Sequence, residues 1–128
     1  MVPKNKTILL IEDDEAIREM YQLKFTHEGI VIHTAEDGVE ALKVALRIKP
    51  DILLLDIKIP TIGGEDVLEK LQKKSWAKQM KVIVLTNINE KEAPKKFQRL
   101  HYDRYIVKAH STPAKVVQAV KEVIDESN

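Results

Sequence analysis

Short apolar runs alternate with amphipathic segments along almost the whole chain. The apolar runs predict five strands, at residues 7–11, 30–34, 51–55, 81–85 and 104–107. Apolar residues at helical spacing follow each run and predict five helices, at residues 15–28, 38–48, 63–74, 91–100 and 112–125. This alternation is typical of an α/β fold in which helices cover both faces of a parallel sheet.

Residues near the ends of the predicted helices support this division. Gly29 follows the first helix and Pro50 ends the second. Thr112 can cap the last helix, and Pro113 suits its first turn. Pro94 is tolerated only in the first turn of a helix, so the pattern at residues 91–100 is weaker than the others.

The apolar positions within the helices predict the faces that are buried. In the second helix these positions are Val39, Leu42, Ala45 and Leu46. In the third helix they are Val67, Leu68 and Leu71. Trp76, between the third helix and the fourth strand, is most simply a packing residue.

Length and composition fit one globular domain spanning residues 1–128. The 128 residues are 44% hydrophobic and 32% charged, and the net charge of +1 argues against a general nucleic-acid surface. The absence of cysteine excludes disulfides and thiolate metal sites and is compatible with a reducing cytosol. The apolar run near the N-terminus is only five residues long, too short for a signal peptide or a membrane span. We therefore expect a cytoplasmic protein with no membrane segment.

Polar side chains that could support chemistry follow four of the five strands. They are Glu12, Asp13 and Asp14 after the first strand, Asp56 after the third, Thr86 and Asn87 after the fourth, and Lys108 after the fifth. In open α/β sheets, ligands bind outside the carboxyl ends of the strands, where strand order reverses. We therefore expect these side chains to converge on one edge of the sheet.

Asp56 is the residue in this set that simple structural roles explain least well. The acids at 12–14 could merely cap a helix, Thr86 could be a turn residue and Lys108 a surface lysine. Asp56, in contrast, follows four consecutive apolar residues, and neither a cap nor a turn accounts for it. Acids brought together would repel unless a cation lay between them, and Mg²⁺ is a hard cation that binds carboxylate oxygens.

The chain resembles the receiver domain of two-component response regulators, including the chemotaxis regulators, in four stretches that occur in this order: ILLIEDDEAIRE, PDILLLDIKIPTIGGEDVL, VIVLTN and RYIVKA. The resemblance covers nearly all of residues 5–125. It implies a doubly wound five-stranded parallel sheet in the flavodoxin-like order 2-1-3-4-5, with five helices. It also implies a phosphorylation-dependent signalling switch that catalyses its own phosphoryl transfer and dephosphorylation and is not a dedicated enzyme.

The resemblance further implies a role for each site residue. Asp56 would accept the phosphoryl group from a histidine kinase or phosphotransfer protein, and Thr86 and Lys108 would contact that group. Mg²⁺ would be held by Glu12, Asp13, Asp56 and the backbone carbonyl of Lys58. Tyr105 would change rotamer with Thr86. An output partner or a second copy of the chain would bind the face built from the fourth helix, the fifth strand and the fifth helix, and no direct contact with nucleic acid is implied.

The sequence departs from the usual receiver pattern at four positions. Ala109 replaces the usual cis proline after Lys108, and we expect a trans bond there because a cis bond before a non-proline residue costs about 2.5–4 kcal/mol. Asn87 stands where a small residue is more usual, and Gly63 where many members have an acid. Lys58 lies two residues after Asp56, at a position that often tunes dephosphorylation. These departures affect the expected loop geometry and kinetics, and they remove no required group.

Two other functions compete with the receiver. A magnesium-dependent phosphatase of the haloacid dehalogenase type also uses an aspartate after an apolar strand, but it needs a second aspartate where this chain has Lys58. A pseudo-receiver that only binds partners would not need all of the phosphorylation residue types, and all are present. The chain could be a free-standing regulator or a piece of a longer protein. The four histidines have no partners at metal-ligand spacing.

Overall fold

A computed structural model describes residues 6–126 as a five-stranded parallel sheet with helices on both faces. The strands are β1 (Thr7–Ile11), β2 (Val31–Ala35), β3 (Ile52–Leu55), β4 (Lys81–Thr86) and β5 (Arg104–Val107). The helices are α1 (Glu15–His27), α2 (Gly38–Ile48), α3 (Gly64–Gln72), α4 (Lys95–Gln98) and α5 (Pro113–Glu126). Short 3₁₀ turns occupy Ser75–Gln79, Glu90–Glu92 and Lys108–His110. The sheet order is β2-β1-β3-β4-β5, which confirms the predicted doubly wound fold.

The strands bury both of their faces, and this produces two cores. Alternate side chains such as Leu9 and Leu53 pack with α2, α3 and Phe97 of α4. The intervening ones, such as Ile8 and Leu54, pack with α1 and α5. Because successive side chains of a strand point to opposite faces, a continuous apolar run suits a strand that is covered on both sides. Burying each large apolar side chain contributes about 1.5–3 kcal/mol to folding.

The fourth helix is much shorter than the sequence pattern predicted. In place of one helix over residues 91–100, a 3₁₀ turn is followed by extended backbone at Ala93 and Pro94, and α4 has four residues. Proline lacks an N–H and disfavours a helical conformation at the residue before it, so the helix begins only after Pro94. Phe97 is fully buried, and Lys96 Nζ lies 3.0 Å from Glu69 Oε1 of α3.

The buried face of α2 lies about one residue away from the predicted one. Ala41 and Ala45 are fully buried, whereas Val39 and Leu46 are 39% and 46% exposed, so the prediction was wrong for these two residues. The start of α2 lies against the loop after β3: the N–H of Gly38 donates to Pro60 O at 3.0 Å, and a Cβ on Gly38 would clash with the carbonyl oxygen of Ile62. This close approach favours a small residue at the start of the packed face, whereas Val39 and Leu46 turn outward.

Other predicted details are confirmed. Val67, Leu68 and Leu71 of α3 are fully buried, and Trp76 packs against the core as a partly buried residue. The Thr112 hydroxyl caps α5 by accepting the N–H of Lys115 at 3.2 Å. The described residues contain no cis peptide bond, so Lys108–Ala109 is trans as predicted. Within residues 6–126, no helix is long and apolar enough to cross a membrane.

Candidate functional site

The register of the sheet brings the polar residues after the strands to one edge. Ile11 of β1 pairs with Leu55 of β3, so the next residues, Glu12 and Asp56, are neighbours. Two further backbone hydrogen bonds extend the ladder past the strand ends: Asp56 N–H donates to Ile11 O at 3.2 Å, and Glu12 N–H donates to Ala35 O at 3.0 Å. The backbone that carries both carboxylates is therefore held by the sheet.

Three carboxylates converge at this edge. One oxygen from each of Glu12, Asp13 and Asp56 lies within 4.8 Å of the other two. Glu12 and Asp56 are buried, with 1% and 7% of their surface exposed, whereas Asp13 is exposed. Hard oxygen ligands that are open to water on one side suit Mg²⁺, which keeps several waters and takes one or two carboxylates.

Lys108 supplies a positive charge between the two buried acids. Its Nζ lies 2.8 Å from Asp56 Oδ2 and also contacts Glu12 Oε1. Burial raises the pKa of Glu12, and the hydrogen bond from Lys108 opposes that rise. Burial also acts to lower the pKa of Lys108, but its hydrogen bonds to Asp56 and Glu12 prevail and hold that pKa above its ordinary value. The ammonium therefore stays charged at neutral pH.

Thr86 and Tyr105 engage the same residue of the loop after β4. Thr86 is buried at the end of β4, and its hydroxyl oxygen accepts the N–H of Ile88 at 3.4 Å. The Tyr105 hydroxyl donates to Ile88 O at 2.6 Å, while its ring packs edge-on to Phe97. Burial, together with the nearby charge of Glu90, raises the pKa of Tyr105 to about 12, so this hydroxyl remains a donor at neutral pH.

The loop after β3 holds Asp56 through its own backbone. The N–H of Lys58 donates to Asp56 Oδ1 at 3.3 Å. The N–H of Gly64 donates to Ile57 O at 2.8 Å, and a Cβ on Gly64 would lie 2.5 Å from Asp56 O. Glycine at residue 64 is therefore what lets the start of α3 approach the backbone of Asp56 and Ile57 so closely.

The structure separates the roles of the acids in the EDD run. Asp14 is the N-cap of α1, with its side chain accepting the N–H of Ile17 at 3.0 Å. The capping interpretation therefore holds for Asp14, while Glu12 and Asp13 face Asp56. Among the described residues, no histidine takes part in a cluster able to hold a metal.

Sequence reasoning missed two contacts that support this edge. Arg18 Nη1 donates to Glu12 O at 2.8 Å, which ties α1 to the end of β1. The side chain of Asn87 accepts the N–H of Ala109 at 3.1 Å, which joins the loop after β4 to the turn after β5. The spacing of six residues between Glu12 and Arg18 is not a helical repeat, and a contact between residues 87 and 109 requires the strand pairing to be known.

Known proteins resemble this chain in both sequence and fold. The family described as response regulator receiver domain matches residues 8–121. The alkaline phosphatase synthesis transcriptional regulatory protein PhoP of Bacillus subtilis is 34% identical over 124 residues, which cover 96% of this chain and 50% of PhoP. The chemotaxis protein CheY of Halobacterium salinarum is 29% identical over 119 residues, which cover 93% of this chain and 97% of CheY.

Solved structures agree with these sequence relatives. A CheY-like receiver domain protein from Methanospirillum hungatei superposes with a TM-score of 0.82 at 29% identity and covers 95% of both chains. The chemotaxis regulator CheY4 of Vibrio cholerae has a TM-score of 0.83 at 23% identity, covering 92% of this chain and 98% of CheY4, and shows a shared fold.

The chain belongs to the response regulator receiver domain family. It is a receiver domain of the two-component type, a signalling module of the class that works with histidine kinases or phosphotransfer proteins. Neither the phosphatase nor the pseudo-receiver is favoured. The chain spans about half the length of PhoP and 36% of the transcriptional regulatory protein AfsQ1 of Streptomyces coelicolor.

Proposed function

We propose that Asp56 accepts a phosphoryl group from a histidine kinase or a phosphotransfer protein and that the phosphorylated domain passes the signal to an output partner. The observation that supports this most directly is the placement of Asp56, with its carboxylate 2.8 Å from Lys108 Nζ and within 4.8 Å of the Glu12 and Asp13 oxygens. Phosphoryl transfer depends mainly on positioning and on neutralising negative charge, and this arrangement supplies both.

The transfer is a substitution at phosphorus. A carboxylate oxygen of Asp56 forms the new O–P bond as the P–N bond to the donor histidine breaks, and a donor imidazole protonated at its other nitrogen leaves as a neutral ring. The Lys108 ammonium stays charged throughout and attracts the phosphoryl oxygens, and the Thr86 hydroxyl donates a hydrogen bond to one of them. Asp56 is already held by the Lys58 N–H, so little reorganisation is needed.

Glu12, Asp13, Asp56 and the backbone carbonyl of Lys58 would hold Mg²⁺. When bound, the ion supplies positive charge that neutralises the carboxylates and the phosphoryl oxygens. The fit rests on the donor set, which consists of hard oxygen atoms, and on the exposure of Asp13, which leaves one side open to water and to phosphate.

The signal would leave through α4, β5 and α5. Thr86 and Tyr105 both bond to Ile88, so a Thr86 that turns toward the phosphoryl group disturbs the loop that also holds Tyr105. The face built from these three elements would then bind an output partner or a second copy of the chain. We further propose that residues 1–128 form one receiver domain that works in the cytoplasm.

The first test is phosphorylation by a small phosphodonor. Incubation with phosphoramidate and Mg²⁺ should add one phosphoryl group to the wild-type protein, measured by intact mass, and none to Asp56→Asn. Asp125→Asn removes an exposed acid from α5 and should react like the wild type. An undiminished adduct in Asp56→Asn would contradict the assignment of the acceptor.

The second test concerns the metal. Asp13→Asn removes one of the three oxygen ligands, and we expect Mg²⁺ affinity, measured by calorimetry, to fall by about tenfold or more, since even groups that only orient ligands have effects of that size. Without metal, Asp13→Asn should be at least as stable as the metal-free wild type, because the variant lacks one of the three carboxylate charges that repel one another. Wild-type Mg²⁺ affinity in Asp13→Asn, with Asp125→Asn as the control, would remove Asp13 from the ligand set.

A further inference from the structure

One hydrogen bond crosses between the two loops that carry Thr86 and Lys108. Thr86 pairs with Val107 across β4 and β5, so Asn87 emerges beside Lys108. From there its Oδ1 accepts the N–H of Ala109 at 3.1 Å. The bond requires both an acceptor at residue 87 and a residue other than proline at 109, since proline has no N–H to donate.

The turn that this bond holds has little other support. Lys108–His110 forms a single 3₁₀ turn, and Ala109 and His110 are exposed. Its own closing bond, from Ser111 N–H to Lys108 O, is 3.3 Å long. Because Ala109 and His110 lie at the surface, water can compete for the hydrogen bonds of this turn, and such exposed turns open easily.

The position of this backbone matters because of what Lys108 does. Its Nζ pairs with both Asp56 and Glu12. The four-carbon side chain is flexible, and it loses rotamer freedom when the ammonium is held at this position. A fixed backbone at the start of the stem reduces the number of conformations that miss the carboxylates.

We propose that Asn87 is a positioning residue for phosphoryl transfer: by holding the Ala109 N–H it fixes the turn at Lys108 and keeps the ammonium at Asp56. This inference rests on the proposed function and adds to it a residue that does not itself touch the reacting atoms. It makes the rate of transfer, rather than the binding of the phosphodonor, sensitive to the side chain at residue 87.

The test uses Asn87→Leu, which keeps the bulk of the side chain and removes the acceptor. Phosphorylation by phosphoramidate at saturating Mg²⁺ is followed by intact mass over a range of donor concentrations. We expect the maximal rate to fall by about three- to tenfold, the range that corresponds to a hydrogen bond's net contribution, with an unchanged half-saturating donor concentration. The amide of Ala109 should exchange faster with solvent in this variant.

Asn89→Leu is the matched control. Asn89 is exposed in the same loop, and its side chain makes no capping hydrogen bond to the 3₁₀ turn that it precedes. We expect Asn89→Leu to phosphorylate at the wild-type rate. Thermal melts of both variants establish that they are folded, which is expected because both positions are exposed.

A double-mutant cycle with Ala109→Pro distinguishes the loss of the Asn87–Ala109 hydrogen bond from any other effect of a leucine side chain at residue 87. Proline removes the donor, so Asn87→Leu should change the rate no further in the Ala109→Pro background. An equal effect of Asn87→Leu in both backgrounds would overturn the proposal, as would a wild-type maximal rate in Asn87→Leu itself. A wild-type protein that takes no phosphoryl group would contradict the proposed function and this inference with it, whereas a reactive wild type with an insensitive residue 87 contradicts this inference alone.

Discussion

At the scale of single residues, Lys108 is what allows two buried carboxylates to lie side by side. Glu12 and Asp56 have almost no contact with solvent, and each is paired with the same ammonium. Replacing a whole buried ion pair by apolar residues often changes the stability of a protein little. Removing only one partner, however, leaves an uncompensated buried charge, which is strongly destabilising.

Lys108→Met should therefore destabilise the metal-free domain by about 2–4 kcal/mol at neutral pH, measured by urea denaturation. The loss should shrink as pH falls. Burial already raises the folded-state pKa of Glu12 above its unfolded value, and without the ammonium it rises further. A raised carboxyl pKa favours the folded state at low pH and loses that contribution as pH rises through it.

Lys43→Met is the control for this prediction, because Lys43 is an exposed lysine of α2. It should leave stability nearly unchanged at both neutral and mildly acidic pH. A Lys108→Met deficit that is constant with pH would mean that lost packing, and not the unpaired carboxylates, accounts for the effect.

At the scale of elements, the start of α3 is fixed by contact with the strand that carries Asp56. A Cβ at Gly64 would lie 2.5 Å from Asp56 O and 2.7 Å from Ile57 Cα, and neither backbone atom can move cheaply. At the preceding Gly63, the atoms nearest to an added Cβ belong to the flexible side chain of Glu65.

Gly64→Ala should consequently lower the free energy of unfolding by about 1–3 kcal/mol, the usual cost of overpacking, although alanine is the better helix former. It should also slow phosphorylation, because the backbone of Asp56 must shift. Gly63→Ala is the paired variant, and we expect a much smaller change. Similar urea midpoints for the two variants would show that the approach of α3 to β3 is not tight.

At the scale of the whole molecule, the two halves of the sheet should respond differently to phosphorylation. The loop after β4, α4 and the turn after β5 are joined to the site through Ile88, Asn87 and Lys108, and α4 has only four residues. β2 and α2 have no such connection to Thr86 among the hydrogen bonds of the described residues.

Amide exchange with and without a stable phosphate mimic should therefore differ mainly within residues 86–110. Tyr105→Phe removes the hydroxyl that donates to Ile88 O and should weaken the change in the loop without abolishing binding of the mimic. Altered protection everywhere except residues 86–110 would contradict this path for the signal.

The sequence by itself determined the order of strands and helices and the set of residues at the carboxyl edge. Strands buried on both faces must be apolar throughout, so an acid directly after such a strand stands out, as Asp56 does. The spacing of apolar residues in α3 likewise predicted that Val67, Leu68 and Leu71 are buried. This worked because the apolar stripe of a helix is formed by residues that are close together in the sequence.

Only the tertiary structure decided the features that depend on contacts between elements distant in the chain. The buried face of α2 follows from its approach to the loop after β3. Pro94 is a local signal that ends the helical pattern before residue 95, but the burial of Phe97 in the core is a tertiary contact. The bridge from Asn87 to Ala109 joins residues 22 positions apart, and it exists only because β4 and β5 pair in one register. Local propensity acts over a few residues, whereas these contacts are set by the packing of elements that are distant in the chain.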